Sequence, residues 1–185
     1  LSHVFLMLQD YVAFPTFQEL DLPDQATPEE AAYALRRAWN LGNGPIDNIV
    51  SIVEQHGILV TTFATNTDDV DAFSKFICDA EYPTFLIAYS SNKTAAARIH
   101  FDIAHELGHI CLHEWGEDIE ELSKEEFKKR EKEANEFAAS FLLPKETFMK
   151  DAESGPHNLA YYKQLKEKWK VSIDAMIRRA ENLGV

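Results

Sequence analysis

The sequence predicts an α+β fold: a small, mostly antiparallel three-stranded sheet packed against one apolar helix, with further helices toward the N- and C-terminal ends. Three observations predict it. Apolar residues recur at helical spacing in the first quarter and the last third of the chain. Three short runs rich in β-branched and aromatic residues fall between residues 58 and 89. Residues 103–112 form an apolar helical run into which His105, Glu106 and His109 are set.

Taken in order, residues 1–26 read as an arm. Phe5, Leu6, Leu8, Tyr11, Val12 and Phe14 are apolar, Pro15 interrupts them, and the arm is expected to pack on the core or on a missing neighbour. Thr27-Pro28-Glu29-Glu30 is a helix start, with a cap, a proline in the first turn and a capping-box glutamate. That helix should run to about Leu41, where Gly42 ends it. Pro45 opens a second helix, residues 46–56, with Ile46, Ile49, Val50, Ile52 and Val53 facing inward and Gly57 as its stop. Residues 58–63, 72–78 and 84–89 are strands, separated by polar turns at 66–71 and 79–83. A polar loop at 90–94 leads into the motif helix, which starts near Ala95. The third strand, beside that helix, is the expected edge to which an extended peptide could pair.

An acidic loop at 116–121 precedes a long helix at 123–143. Ser123 and Glu126 form its capping box, and Pro144 marks its stop. Residues 151–157 are a polar break. Residues 159–170 and 172–183 then close the chain as two helices, the second capped by Ser172. Lys163, Lys166, Lys168, Lys170, Arg178 and Arg179 make this end locally basic, so the pair could imitate a DNA-binding helix-turn-helix. The acidic whole favours a solvated helical lid instead.

His105-Glu106-Leu107-Gly108-His109 is the most informative stretch. Residues four apart on a helix lie nearly above one another, so His105 and His109 can aim two imidazole nitrogens at one metal ion. Glu106 can reach a water at that ion and act as general base. This set suits zinc-assisted hydrolysis. A bare motif of this kind arises by chance in on the order of one chain in two hundred of this length. The apolar setting strengthens it, because a buried histidine or glutamate is costly unless something satisfies it.

A third ligand is expected from the 123–143 helix, whose apolar stripe is Phe127, Ala134, Phe137, Ala138, Phe141 and Leu142. Glu131 lies on that stripe and is the favoured ligand. Glu133 lies off its centre and is the reserve, and Glu136 lies further still. A carboxylate on a buried face needs a cation or a proton. On an unbroken helix His113 would sit roughly 12 Å from His105 along the axis, too far to share an ion. It is left to orient a ligand from behind, to close the helix, or to donate to a transition state. For that donor role Tyr82, Tyr89 and Arg98 are also candidates.

Ala104-His105-Glu106-Leu107-Gly108-His109, with Leu112-His113 following, resembles the ImmA/IrrE family of metallopeptidases, a gluzincin-like group. The resemblance continues in Glu131-Lys132-Glu133-Ala134-Asn135-Glu136-Phe137-Ala138 and in Phe141-Leu142-Leu143-Pro144. It extends to Phe85-Leu86-Ile87-Ala88-Tyr89 with Arg98, and to the tail from Trp169. It covers roughly residue 42 to the end, and two separated motifs agree in order and spacing. It implies His105, His109 and Glu131 as zinc ligands, Glu106 as general base, and Asn135 as a residue that orients a ligand. Asn92 departs from the family pattern, since it lies three residues beyond Tyr89 rather than at the strand's end, and a substrate-strand role for it is in doubt.

The expected organisation is an arm at 1–26, a zinc-peptidase core at 27–150, and a C-terminal helical pair at 151–185 packed on the core; the resemblance bears on the last two. It implies a protein partner: a helix-turn-helix repressor or antitoxin-like regulator, cleaved by the enzyme. Two rival readings are a non-proteolytic regulator that uses the zinc-site fold to bind a transcription factor, and a toxin-like module from a mobile element.

Composition sets the outer bounds. The 185 residues are 45% hydrophobic and carry a net charge of −13. Such a surface disfavours phosphate backbones and would attract a basic partner. Cys78 and Cys111 are the only cysteines, which fits a reducing cytoplasm rather than a disulfide framework. No apolar run is long enough to span a membrane, and no signal-peptide pattern is present. Leu1 in place of methionine raises the expectation of a processed or truncated chain, and whether an N-terminal domain is missing stays open.

Overall fold

A computed structural model describes residues 7, 11–23, 25–64, 71–77, 83–92, 95–115 and 122–185. The described residues form seven helices and three strands. The acidic loop at 116–121, most of the two turns of the sheet, and the end of the loop at 90–94 lie outside them, as do Cys78 and Tyr82.

Helix α1, Pro28–Ala38, starts as its sequence requires: the Thr27 side chain accepts from the Glu30 N–H, and Glu30 reaches back to the Thr27 N–H. It ends before Leu41 because Asn40 turns left-handed at φ 53°, which a short polar side chain tolerates. Helix α2, Ile49–Gln55, starts later than Pro45 suggests, because Asn48 supplies the cap by accepting from the Ser51 N–H. Gly57 follows at φ 86°. A Cβ there would sit 2.4 Å from the Phe17 nitrogen, so the backbone of residues 15–17 passes directly over it. That crossing fastens the second half of the arm, whose Phe17, Leu20 and Leu22 pack on the core, while Tyr11 and Val12 stay exposed.

The sheet corrects the expected topology. Strands β1 (Leu59–Phe63), β2 (Ala72–Ile77) and β3 (Thr84–Ser90) lie in the order β1-β3-β2. β1 runs parallel to β3, and β2 antiparallel to it. The sheet is therefore mixed rather than mostly antiparallel, and residues 84–89 form its centre, not its edge. The reason is visible in β3 itself. Thr84, Phe85, Leu86, Ile87 and Ala88 are buried in succession, and a strand covered on both faces reads as an unbroken apolar run. β2 is half-exposed and occupies an end of the sheet.

Helix α3, Ala96–Leu112, carries the motif, and helix α4, Lys124–Leu142, follows with the Ser123–Glu126 capping box in place. Ile103, Ala104, Leu107 and Ile110 of α3 share one core with Phe137, Ala138 and Phe141 of α4 and with Phe85 and Ile87 of β3. Pro144 ends α4 but also opens α5, Lys145–Glu153, a helix that the sequence reading left out. Its buried Phe148 and Ala152, four residues apart, are the signal that could have shown it. Helices α6, Leu159–Trp169, and α7, Ile173–Leu183, close the chain. Among the described residues no helix is long and apolar enough to cross a membrane.

Two buried arginines fasten the outer helices. Arg36 of α1 donates to the carbonyls of Gly42, Gly44 and Phe141, tying the loop after α1 to the last turn of α4. Arg179 of α7 donates to the Leu143 carbonyl and pairs with Glu29 of α1. Part of the basic character near the C-terminus is thus structural, since Arg179 is buried rather than offered to a ligand.

Candidate metal centre and cleft

The site is set by how closely two helices approach. A Cβ on Gly108 would lie 3.0 Å from the Ala134 Cα and 3.1 Å from the Ala134 oxygen. The glycine between the two motif histidines lets α4 press against α3 at the level of the site. Ala134 presents no more than a methyl group to the same seam.

Three side chains converge there. His105 Nε2 and His109 Nε2 are 3.0 Å apart. Glu131 Oε1 lies 3.2 Å from His109 Nε2, and Glu131 Oε2 lies 3.4 Å from His105 Nε2. Zinc held tetrahedrally at 2.0–2.1 Å needs donors separated by about 3.3 Å. The three edges bracket that value, and the donor set of two imidazoles and one carboxylate is one that zinc accepts. These three are the one group among the described residues with the spacing to hold a metal ion.

Charge reinforces the arrangement. The hydrogen bonds from His105 and His109 hold the Glu131 carboxyl well below the usual carboxylate range, against the opposing effect of burial. Burial opposes the charge on His105. The Glu131 hydrogen bond and the Glu131 and Glu106 charges outweigh it, so its pKa is raised. Asn135 adds a brace. Its Nδ2 donates to the Glu131 carbonyl at 2.7 Å, and its side chain lies close enough to His105 to help raise the pKa of that ring.

Glu106 is buried and lines the same cleft. Ser74 of β2 donates to Glu106 Oε2 at 2.6 Å. Sequence reasoning missed Ser74, because nothing local marks a serine in a short strand as facing a helix 32 residues away. The cleft has a volume of about 580 Å³ and is walled by β2, α3 and α4, with Phe73, Phe101, Trp115, Leu122 and Phe127 as apolar lining. Phe127 belongs to the expected core stripe, yet it is 46% exposed and faces the cleft. Glu131 follows it by one turn on the same face, and that spacing was the available signal.

The remaining candidates separate cleanly. Glu133 stays out of the donor triangle and meets His113, with Oε2 3.3 Å from His113 Nε2. His113 Nδ1 lies 3.0 Å from His109 Nδ1. Burial, with the nearby His109 charge, pushes the His113 pKa down to about 4, so the ring is neutral at pH 7. Arg98 pairs with Asp71 at 2.9 Å. Neither Arg98 nor Tyr89 lines the cleft, and Tyr82 lies outside the described residues. Asn92 follows β3 and donates its N–H to the Ser90 hydroxyl. Cys111 is a free thiol at the margin of the core, and burial pushes it up to about 12.

Comparison with known proteins gives a family. The model of the IrrE N-terminal-like domain, peptidase family M78, matches residues 53–181, which span β1 to α7 and include every side chain of the site. A search of curated proteins finds no match to the chain.

Proposed function

The chain belongs to the IrrE N-terminal-like domain family of M78 peptidases, and from that premise we propose that it is a zinc-dependent endopeptidase acting on a protein partner. The observation that carries the reading is the donor triangle of His105, His109 and Glu131 beside a buried carboxylate, all opening on one cleft. His105, His109 and Glu131 would hold the ion. Bound there, zinc supplies Lewis acidity, polarising a carbonyl and lowering the pKa of water.

The protein's own groups do the rest. Glu106 accepts the proton of the attacking water and returns it to the departing amine. Ser74 fixes one oxygen of that carboxylate and leaves the other for the proton. The apolar walls limit water and seat a bulky side chain of the substrate. An extended segment would lie along β2, whose Ala72, Phe73 and Ser74 line the cleft, so that backbone pairing provides affinity and side-chain pockets provide choice. The strand expected to serve in this way, β3, is paired on both sides.

A basic DNA-binding regulator suits a chain of net charge −13. A helix-turn-helix repressor in a reducing cytoplasm is the proposed substrate. The test is incubation of the zinc-loaded protein with candidate repressors from the same genome neighbourhood, with and without chelator, read by mass spectrometry. We expect a discrete chelator-sensitive cut, absent with Glu106→Gln although that variant retains zinc. Stable binding of a repressor with no cut, by a fully zinc-loaded protein, would refute the enzymatic reading and favour a binding role.

A further inference from the structure

We propose that Glu133 and His113 form a positioning relay that fixes the tautomer and orientation of His109, so that a carboxylate acts on the metal site through two imidazole rings. The inference rests on the reading of His105, His109 and Glu131 as metal ligands.

The geometry sets each proton in turn. His109 turns Nε2 toward His105 and Glu131, at 3.0 Å and 3.2 Å. That nitrogen must offer its lone pair to an ion, so the ring proton sits on Nδ1. His109 Nδ1 lies 3.0 Å from His113 Nδ1, and the His109 N–H donates to it. His113 must therefore accept at Nδ1 and carry its own proton on Nε2. His113 Nε2 in turn lies 3.3 Å from Glu133 Oε2, and the carboxylate accepts. Every donor meets an acceptor and no ring has a choice of tautomer. If Glu133 did not accept at the far end, His113 could place its proton on Nδ1, opposing the His109 N–H and favouring the wrong form of the ligand.

The chain path explains why the relay is possible. Helix α3 ends at Leu112, and His113 leaves it in an extended conformation, φ −119° and ψ 146°. Its ring lies with its centroid 5.0 Å from that of His109, and its side chain is only 9% exposed. Both ring nitrogens are engaged, so His113 is not the donor to a developing oxyanion. Glu133 is likewise engaged away from the donor triangle, which removes it as the third ligand. The two histidine ligands are then braced by different chemistry: His105 by the neutral amide of Asn135, His109 by a carboxylate acting through His113.

Zinc affinity measured by chelator competition tests the relay without any substrate. His113→Phe keeps a ring of similar size but removes the acceptor, and it should weaken zinc binding by about 10- to 100-fold. His113→Asn keeps an acceptor where Nδ1 stands and should recover most of the loss. Glu133→Gln removes the charge at a half-exposed position where folding is not at stake, and it should weaken binding severalfold in the wild type. In the His113→Phe background the same change should add nothing, since the relay is already cut. In 15N spectra of the zinc-loaded protein at pH 8, His113 should show the Nε2–H tautomer in the wild type and lose that preference in Glu133→Gln. Equal zinc affinity in wild type, His113→Phe and Glu133→Gln would overturn the relay while leaving the metal site intact. A wild-type protein with no zinc affinity would overturn the metal reading itself, and the relay with it.

Discussion

Replacing Gly108 with alanine separates two opposed effects, and the spacing of the helices decides between them. On an isolated helix the change is favourable by roughly 0.8–1.0 kcal/mol. Here the new methyl would stand 3.0 Å from the Ala134 Cα, 3.1 Å from its oxygen and 3.2 Å from the Phe137 Cβ. Ordinary contact begins near 3.4 Å, so α4 must retreat by 0.2–0.4 Å along a stretch of backbone rather than at the tip of a flexible side chain. Overpacking of this kind costs about 1–3 kcal/mol, and the net result is destabilisation of up to about 2 kcal/mol. The retreat also carries Glu131 away from His105 and His109. Urea unfolding of metal-free protein and zinc competition on the same samples give the two readouts. We expect a lower midpoint together with zinc affinity reduced by about tenfold or more, since a metal site tolerates donor displacements of only about 0.2 Å. A Gly108→Ala protein that is more stable than the wild type and binds zinc equally well would refute the claim that this contact sets the site.

Other perturbations probe other parts of the structure. Ser74→Ala removes the hydrogen bond to Glu106, worth about 1–1.5 kcal/mol; cleavage should slow by about tenfold at unchanged zinc affinity, and an unaffected rate would remove Ser74 from the mechanism. In metal-free protein the raised His105 pKa gives stability that is full below about pH 6.5 and lost as pH rises through the folded value, while the lowered Glu131 pKa gives stability present above about pH 4.3. The pair thus stabilises most between about pH 4.5 and 6.5, whereas zinc requires both imidazoles unprotonated; the rise in Tm on adding zinc should grow from pH 6 to pH 8, and a flat profile would count against histidine ligation. Arg36→Met strips three carbonyls of a buried guanidinium whose pKa burial lowers to about 10. A loss of about 3 kcal/mol is expected in chemical unfolding, and a change below about 0.5 kcal/mol would show that the clamp contributes little.

Much of this architecture is written in local chemistry. Thr27 with Glu30, and Ser123 with Glu126, announce two helices through contacts within four residues, and the motif histidines need only helical periodicity to align. The sheet order is not local. Phe85-Leu86-Ile87-Ala88 carries the mark of a strand buried on both faces, but which strands flank it depends on β1 pairing in parallel across an intervening hairpin partner. The α5 helix is hidden in the sequence because a proline that stops one helix gives no local sign that it also opens the next. His113 is expected to orient a ligand, to close the helix or to donate to a transition state, and it does close α3 at Leu112 while its ring meets His109; the spacing alone does not choose among those roles. Ser74 faces the cleft through packing alone, and no periodicity separates it from neighbours that do not; Phe127 is marked only by its place one turn before Glu131.

The site therefore depends on two kinds of residue that should fail differently. In the proposed zinc site His105, His109 and Glu131 would supply donors, and Gly108, Ala134, Asn135 and His113 would hold those donors at ion-binding separation without offering an atom to the ion. Because the donors come from two helices, zinc binding would be linked to the α3–α4 contact, and saturating metal should stabilise the fold by RT ln(1 + [Zn]/Kd). Replacing a donor should abolish that metal-dependent increment while, above the pH window in which the His105–Glu131 pair contributes, changing the metal-free protein little. His105→Ala, for example, removes a partly exposed ring whose loss the cleft can fill with water. Replacing a spacer should reduce the increment in proportion to its effect on Kd and, at Gly108, also weaken the metal-free protein. Plotting zinc-dependent stabilisation against metal-free stability for both sets would place donor variants along one axis and Gly108→Ala off it. Donor and spacer variants falling on a single line would mean that the helix contact and the metal site are one cooperative unit, and that the separation of roles argued from Gly108 and Ala134 is wrong.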